Sequence, residues 1–270
     1  MTAVHRTLRL AARISLALLL LVIFCGVALA QEKPAEPCKP EPPKSSWEVE
    51  HERLLHEDWP ELGRFRAANA ALPAPAASER RVVFMGDSIT EGWRYTIDPN
   101  GPEFGAFFKG KPYLNRGISG QTTGQMLLRF HDDVIALNPA AVVILAGTND
   151  LAGNTGEIPL EDIESNIATM CELAHLHGIR VLLVSVLPAG DYPWRPGREP
   201  AAKIVALNGW LLGYAHSNGY AFADVHTSMA APDLSLKKEF SEDGVHPNSQ
   251  GYALMEKLLQ TAIDQVLARK

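Results

Sequence analysis

Ser88 stands where an apolar run, Val82-Val83-Phe84-Met85, ends in Gly86-Asp87. A serine hydroxyl attacks a carbonyl only when a neighbouring base takes its proton. Taken alone, a serine at a strand-to-helix turn reads more simply as a helix cap. It also fails the G-x-S-x-G elbow, because Thr90 stands where the second glycine is required. A base must therefore come from elsewhere. Of the nine histidines, His51, His56, His175 and His177 read as surface or helix-end residues. His226 follows Asp224 closely and is the strongest competitor. His246 differs because Asp243 lies three residues before it across Gly244. That spacing lets the carboxylate reach the imidazole Nδ1–H and leaves Nε2 for the serine. On its own, D-x-x-H is more often a surface turn feeding a helix. Gly117 offers a backbone N–H and Asn149 a side-chain amide. With the Ser88 N–H they form a candidate oxyanion hole, in which losing one donor typically costs about 10²–10³ in rate. Their plainer readings are a tight turn for Gly117 and a turn or cap for Asn149.

These residues act together only if the elements between them bring them to one place. Apolar runs occur at Arg81–Met85, Pro112–Asn115, Ala141–Ala146, Arg180–Leu187 and Tyr220–Val225. Between and after them lie stripes at helical spacing: Ile163, Ile167, Met170 and Ala174; Ile204, Leu207, Leu211 and Tyr214; Tyr252, Met255, Leu259, Ile263 and Val266. The runs at Ala141–Ala146 and Arg180–Leu187 are apolar on both faces, as parallel strands covered by helices must be. Strands alternating with helices predict an α/β fold with a doubly wound sheet. In such sheets ligands bind beyond the carboxyl ends of the strands. Gly86-Asp87-Ser88, Asn115-Arg116-Gly117 and Gly147-Thr148-Asn149-Asp150 each follow a strand, and Asp243-Gly244-Val245-His246 precedes the last helix.

Composition narrows the class. The 270 residues are 46% hydrophobic, enough for one sizeable core, and carry a net charge of −6. Phosphate binding needs a basic face, and with this charge and no Lys/Arg run a nucleic-acid partner is not expected. Residues 1–30 read as a signal peptide: Arg6, Arg9 and Arg13 precede an uncharged stretch, Ile14 to Ala30, that ends in Ala28-Leu29-Ala30. This implies export to the periplasm or the extracellular space and no stable membrane insertion after cleavage. The alternative is a membrane anchor through residues 14–30, a little short of the roughly 20 residues of a spanning helix. Residues 31–44 hold five prolines and read as an extended linker. Residues 45–80 read as a helical extension: Ser45 and Glu48 form a capping box, and a second helix is expected from Asp58 with Pro60 in its first turn. The main domain then covers 81–270. Cys38 and Cys171 could pair in an oxidising compartment, but Cys171 reads more simply as a small core residue. No metal-ligand spacing is evident, so no cofactor is expected.

Taken together, "GDSIT", "NRGISG", "GTND" and "DGVHP" resemble the four blocks of the SGNH hydrolase superfamily, the GDSL-type esterases and lipases. One departure is conservative: Ile89 stands where that name has leucine. The resemblance implies a three-layer α/β/α sandwich, flavodoxin-like, with five parallel strands. It implies nucleophile Ser88, base His246 with Asp243, oxyanion donors Ser88, Gly117 and Asn149, and metal-independent ester hydrolysis through an acyl-serine. It gives Asp87 and Asp150 structural parts. Bacterial members near platelet-activating-factor acetylhydrolases and xylan acetylesterases are most similar in appearance, which implies a short acyl group, the acetyl of an exported carbohydrate ester. In the loop "AGDYPWRPGREP", Tyr192 and Trp194 are the candidate sugar-stacking residues, and Arg195 and Arg198 the candidates for an anionic group; Trp194 reads equally well as packing the loop between Pro193 and Pro196. The rival readings are a lysophospholipase or thioesterase acting on lipid esters, a sugar O-acyltransferase with the same triad, and a non-catalytic binding module.

Overall fold

The computed structural model describes residues 45–97 and 108–269. The signal peptide, the proline-rich linker, the 14–30 anchor and Cys38 lie outside the described residues. Two helices come first, α1 (Ser46–Glu57) and α2 (Arg66–Ala71). The helix expected from Asp58 starts at Arg66 instead. Glu61 takes a left-handed φ of 53°, and the Asp58 carboxylate accepts from Leu62 N and Gly63 N at 2.9 Å each. Such local side-chain bonds compete with a helix and win here.

Five strands follow: β1 (Val82–Gly86), β2 (Tyr113–Gly117), β3 (Ala141–Leu145), β4 (Arg180–Val184) and β5 (Ala221–Ala223). They form one parallel sheet in the order β2-β1-β3-β4-β5, the flavodoxin-like arrangement. The order reverses at β1, between β2 and β3, and Ser88 follows that strand directly. Gly86 pairs with Gly117 on one side and Leu145 on the other, so the three chains leave the sheet level with one another.

The remaining named helices are α3 (Ser88–Ile97), α4 (Thr123–Asp133), α5 (Thr148–Ala152), α6 (Leu160–Leu176), α7 (Ala201–Asn218), α8 (His226–Met229) and α9 (Ser249–Ala268). Every residue of β1 and β3 is buried, which is why those segments lack polar alternation. Alternate strand residues feed two cores. Val83, Met85, Val142 and Ile144 pack with Met126, Ile163, Ile167 and Leu207 of α4, α6 and α7. Phe84, Val143 and Leu145 pack with Ile89, Trp93, Met255 and Leu259 of α3 and α9. The result is the expected three-layer sandwich. Of the expected helix stripes, only Tyr214 falls short of full burial; it stacks on Trp210 at 4.8 Å. Cys171 is a free, buried thiol that burial pushes up to about 12.

One contact fixes the two ends of the site. Tyr252, on α9, stacks on Trp93 of α3 at 5.2 Å and donates its hydroxyl to Ile89 O at 2.8 Å. The helix after His246 is thereby fastened to the helix that begins at Ser88.

Candidate active site

Asp87, not Ser88, caps α3: its Oδ1 accepts from Ile89 N at 2.9 Å. The Ser88 hydroxyl is thus released from backbone duty, and its Oγ lies 2.9 Å from His246 Nε2. The other imidazole nitrogen, Nδ1, lies 2.6 Å from Asp243 Oδ2.

The Asp243–His246 turn is self-bracing. Asp243 Oδ1 accepts from Val245 N at 2.9 Å and His246 N at 2.8 Å, leaving Oδ2 for the ring. Gly244 supplies the left-handed φ of 81° that the turn needs. Asn248 then caps α9 by accepting from Gln250 N and Gly251 N. Burial opposes the charge on Asp243, but bonds from the His246 side chain and from the His246 and Val245 N–H groups outweigh it and hold the carboxyl at about 2. An ionised Asp243 beside Nδ1–H fixes the tautomer with its lone pair on Nε2.

The rival base, His226, is not the one on Ser88: its buried Nε2 has no hydrogen-bond partner among the described residues. Asp224 is occupied with Thr227, accepting from its N at 3.0 Å and from its hydroxyl at 2.6 Å. Burial pushes the His226 imidazole down, although Asp224 opposes this.

Asn149 lies in the first turn of α5, buried. Its Nδ2 donates to Gln121 O at 3.0 Å and makes a longer contact, 3.3 Å, with Asp87 Oδ2. Asp87 and Asp150 are both pushed up to about 6 by burial. Bonds from Ile89 N to Asp87, and from the Thr123 hydroxyl and N–H to Asp150, pull the other way. Both are held inside the scaffold, as expected of structural members.

Gly117 corrects the sequence-based expectation. Its N–H donates to Asn115 Oδ1 at 2.9 Å and is not free for an oxyanion. The glycine is needed for another reason: a Cβ there would lie 2.2 Å from Glu91 N and 2.8 Å from Asp87 O, inside the backbone of α3. Gly117→Ala is therefore expected to lower stability by about 3 kcal/mol or more, because backbone cannot yield as a side chain can. Urea unfolding measures this. Alanine keeps the N–H, so an equally stable variant would mean that α3 does not pack as described. Three residues on, Gly120 lies in the loop between β2 and α4 with a φ of +79°. Its carbonyl accepts from Asn154, which also bonds Asn149. Among the described residues no partner takes the N–H of Gly120 or of Ser88.

Tyr192 is also corrected: it is fully buried beneath Trp194, so it packs the loop and presents no face to a sugar. Trp194 remains 38% exposed, with its ring 5.9 Å from that of His246. Arg198 pairs with Glu157, whereas Arg195 is exposed. Beside Asp243, between the 190–196 loop and residues 235–244, opens a cleft of about 700 Å³ whose walls include Asp191, Ser235, Lys238 and Glu242.

The sequence reading passed over Arg129. Its buried guanidinium bonds Gly86 O at 3.1 Å, Gln121 Oε1 at 2.6 Å and Asp133 at 3.0 Å, tying the end of β1 to the neighbouring loop. Its only sequence signal is a charge on an otherwise buried helix face. The N-terminal extension is fastened to the same loop. Trp59 O and Pro60 O accept from Gln125 and Gln121, and Arg64 pairs with Glu91, which also holds Ser119.

Comparison with known proteins agrees with this architecture. A GDSL-like lipase of Bacteroides thetaiotaomicron is 45% identical, with a TM-score of 0.73, over 77% of this chain and 99% of that one. The lipoprotein YqeF of Bacillus subtilis is 34% identical over 117 residues, 40% of this chain and 48% of its own length. The acetylxylan esterase of Xylanibacter ruminicola is 25% identical over 247 residues, 81% of this chain and 48% of that protein. The chain thus spans about half the length of each of these two relatives. Residues 84–254, which hold all four motif blocks, match the GDSL-like lipase/acylhydrolase family, and the chain belongs to that family.

Proposed function

We propose that this protein is a serine esterase that removes short acyl groups, acetyl above all, from hydroxyl-rich alcohols. The observation that carries the reading is the line from Ser88 Oγ to His246 Nε2 at 2.9 Å and from Nδ1 to Asp243 Oδ2 at 2.6 Å. His246 Nε2 takes the Ser88 proton as Oγ bonds to the ester carbonyl carbon. The carbonyl oxygen becomes an oxyanion facing the N–H groups of Ser88 and Gly120 and the Asn149 side-chain N–H that at rest makes only the 3.3 Å contact with Asp87 Oδ2, with Gly120 in the place first given to Gly117. As the bond to the alcohol oxygen breaks, His246 returns the proton to that oxygen. Water then repeats the sequence on the acyl-serine, releasing the acid and restoring Ser88.

The charged and hydroxyl-bearing cleft beside Asp243 supports a polar alcohol more than a lipid tail. Similarity to an acetylxylan esterase supports acetyl as the acyl group, and similarity to a lipoprotein supports export. One substrate panel tests this. Acetate release from acetylated xylan and hydrolysis of nitrophenyl acetate are expected to exceed hydrolysis of nitrophenyl octanoate and lysophosphatidylcholine by about tenfold or more in kcat/KM, the discrimination of a few apolar contacts. Preference for the octanoyl or lysophospholipid substrate would refute the short-acyl assignment.

A further inference from the structure

An oxyanion hole built on an asparagine needs that amide the right way round. The two ends of a carboxamide have nearly the same shape, but only the nitrogen stabilises negative charge. Partners at both ends fix the polarity of Asn149: its Nδ2 faces acceptors, Gln121 O at 3.0 Å and Asp87 Oδ2 at 3.3 Å, and its Oδ1 faces a donor. Its Oδ1 accepts from Asn154 Nδ2 at 2.9 Å. Asn154 is itself held in one sense by partners of fixed polarity. Its Nδ2 also donates to Gly120 O at 3.0 Å, and a carbonyl can only accept. Its Oδ1 accepts from Trp194 Nε1 at 2.9 Å, and an indole N–H can only donate. Turning Asn154 over would set N–H against N–H and oxygen against oxygen. Its backbone is pinned as well, because Asn154 N donates to Asn149 O at 3.0 Å just after Gly153 ends α5 in a left-handed turn.

We propose that Asn154 is a positioning residue and that Trp194, through Asn154, secures the Oδ1 end of the Asn149 amide and so, with Gln121 O at the other end, keeps its nitrogen on the side of the developing oxyanion. Resting on the esterase reading above, the inference gives the 190–198 loop a second part in the site. Trp194 lies beside the base with its ring and is linked to the oxyanion donor Asn149 through Asn154, which accepts from its N–H. Gly120 O, bonded by the same Asn154 nitrogen, is held in register with Asn149, so one side chain spaces two of the three proposed oxyanion donors.

The test is Asn154→Asp in the full chain, assayed with nitrophenyl acetate. Aspartate keeps the acceptor for Trp194 but sets oxygen against both Asn149 Oδ1 and Gly120 O, so the Asn149 amide is driven out of line or turned against the hold of Gln121 O. The expected result is a fall in kcat of about 100-fold, the low end for loss of one oxyanion donor, with KM within about threefold. Trp194→Phe keeps the ring and deletes the donor, and is expected to lower kcat about fivefold, equivalent to one ordinary hydrogen bond. The readout that a merely structural role would not give is a cycle with Asn149→Ala. Once Asn149 is gone, Asn154→Asp is expected to cost less than about threefold more. An equally large further loss in that background, or a folded Asn154→Asp protein with kcat within about threefold of the parent, would overturn the proposal. If Asn154→Asp does not fold, Trp194→Phe and its cycle with Asn149→Ala decide alone: no loss, or an undiminished loss, counts against it. A fluorophosphonate label separates the two levels of argument. If Ser88 of the parent is neither labelled nor needed for turnover, the esterase reading fails. If it is both, and turnover ignores Asn154 and Trp194, only the positioning role fails.

Discussion

Replacing Ser88 with alanine is expected to lower kcat on nitrophenyl acetate by at least about 10⁴, the scale on which nucleophile deletions act in serine hydrolases, while leaving the folded protein intact. The loss is large because nothing near Ser88 replaces it. The imidazole would face a methyl group, and the most it can do is activate water at the same position. The fold survives because Ser88 carries so little of it. Asp87 caps α3, Tyr252 fastens that helix to α9, and Arg129 holds the end of β1. The hydroxyl forfeits one half-exposed contact with His246, worth about 1 kcal/mol. Two measurements check this: steady-state turnover, and the unfolding midpoint in urea. A variant within about tenfold of parental kcat would remove Ser88 as nucleophile. A variant that loses activity by unfolding would make Ser88 a structural residue, contrary to the cap geometry.

How much of this was legible beforehand follows from which interactions are local. Asp243 and His246 are three residues apart on a glycine turn, so their pairing is short-range chemistry that spacing alone can suggest. Ser88 and His246 meet because β1 is flanked by β2 and β3 and because α9 lies on α3. The apolar runs and stripes encode that topology well enough to bring the four loops to one rim. Gly117 was misjudged because a glycine after a strand serves ligand approach and helix packing equally well in sequence. Only the 2.2 Å separation between its missing Cβ and Glu91 N tells them apart. Gly120 stands in the same "NRGISG" stretch and was passed over. Tyr192 failed for a related reason, since an aromatic residue in a long polar loop looks exposed until the loop is seen to fold over it. Asn154 gave no sequence signal at all. Its importance lies in three bonds, to Gly120, Asn149 and Trp194, made across separate loops.

Asp243→Asn is the second large effect, and it isolates the tautomer. The substitution keeps size and shape, and the retained Oδ1 still accepts from the Val245 and His246 N–H groups. Where Oδ2 lay 2.6 Å from Nδ1, an NH₂ group now stands. Two donors cannot share that contact, so the imidazole shifts its proton to Nε2 and presents an N–H to Ser88 where a lone pair is required. A fall in kcat of about 10⁴ is expected, as for the same change in another triad, with KM little altered. The folded state should show a second, independent consequence. Asp243 is held at about 2, below its ordinary 3.8. A depressed carboxyl lends the native state stability that is fully present above about pH 4 and is lost as pH falls from about 4 to about 2. The parent should therefore lose stability across that window faster than Asp243→Asn, which has no carboxylate to protonate there. Because Asp243 is 41% exposed, solvent screens this contribution, and the comparison is best made as the difference between the two urea-unfolding curves at each pH. Parallel curves from pH 5 to pH 2 would show that the Asp243–His246 contact does not hold the carboxylate ionised. Retained turnover would show that the contact does not set the proton on His246.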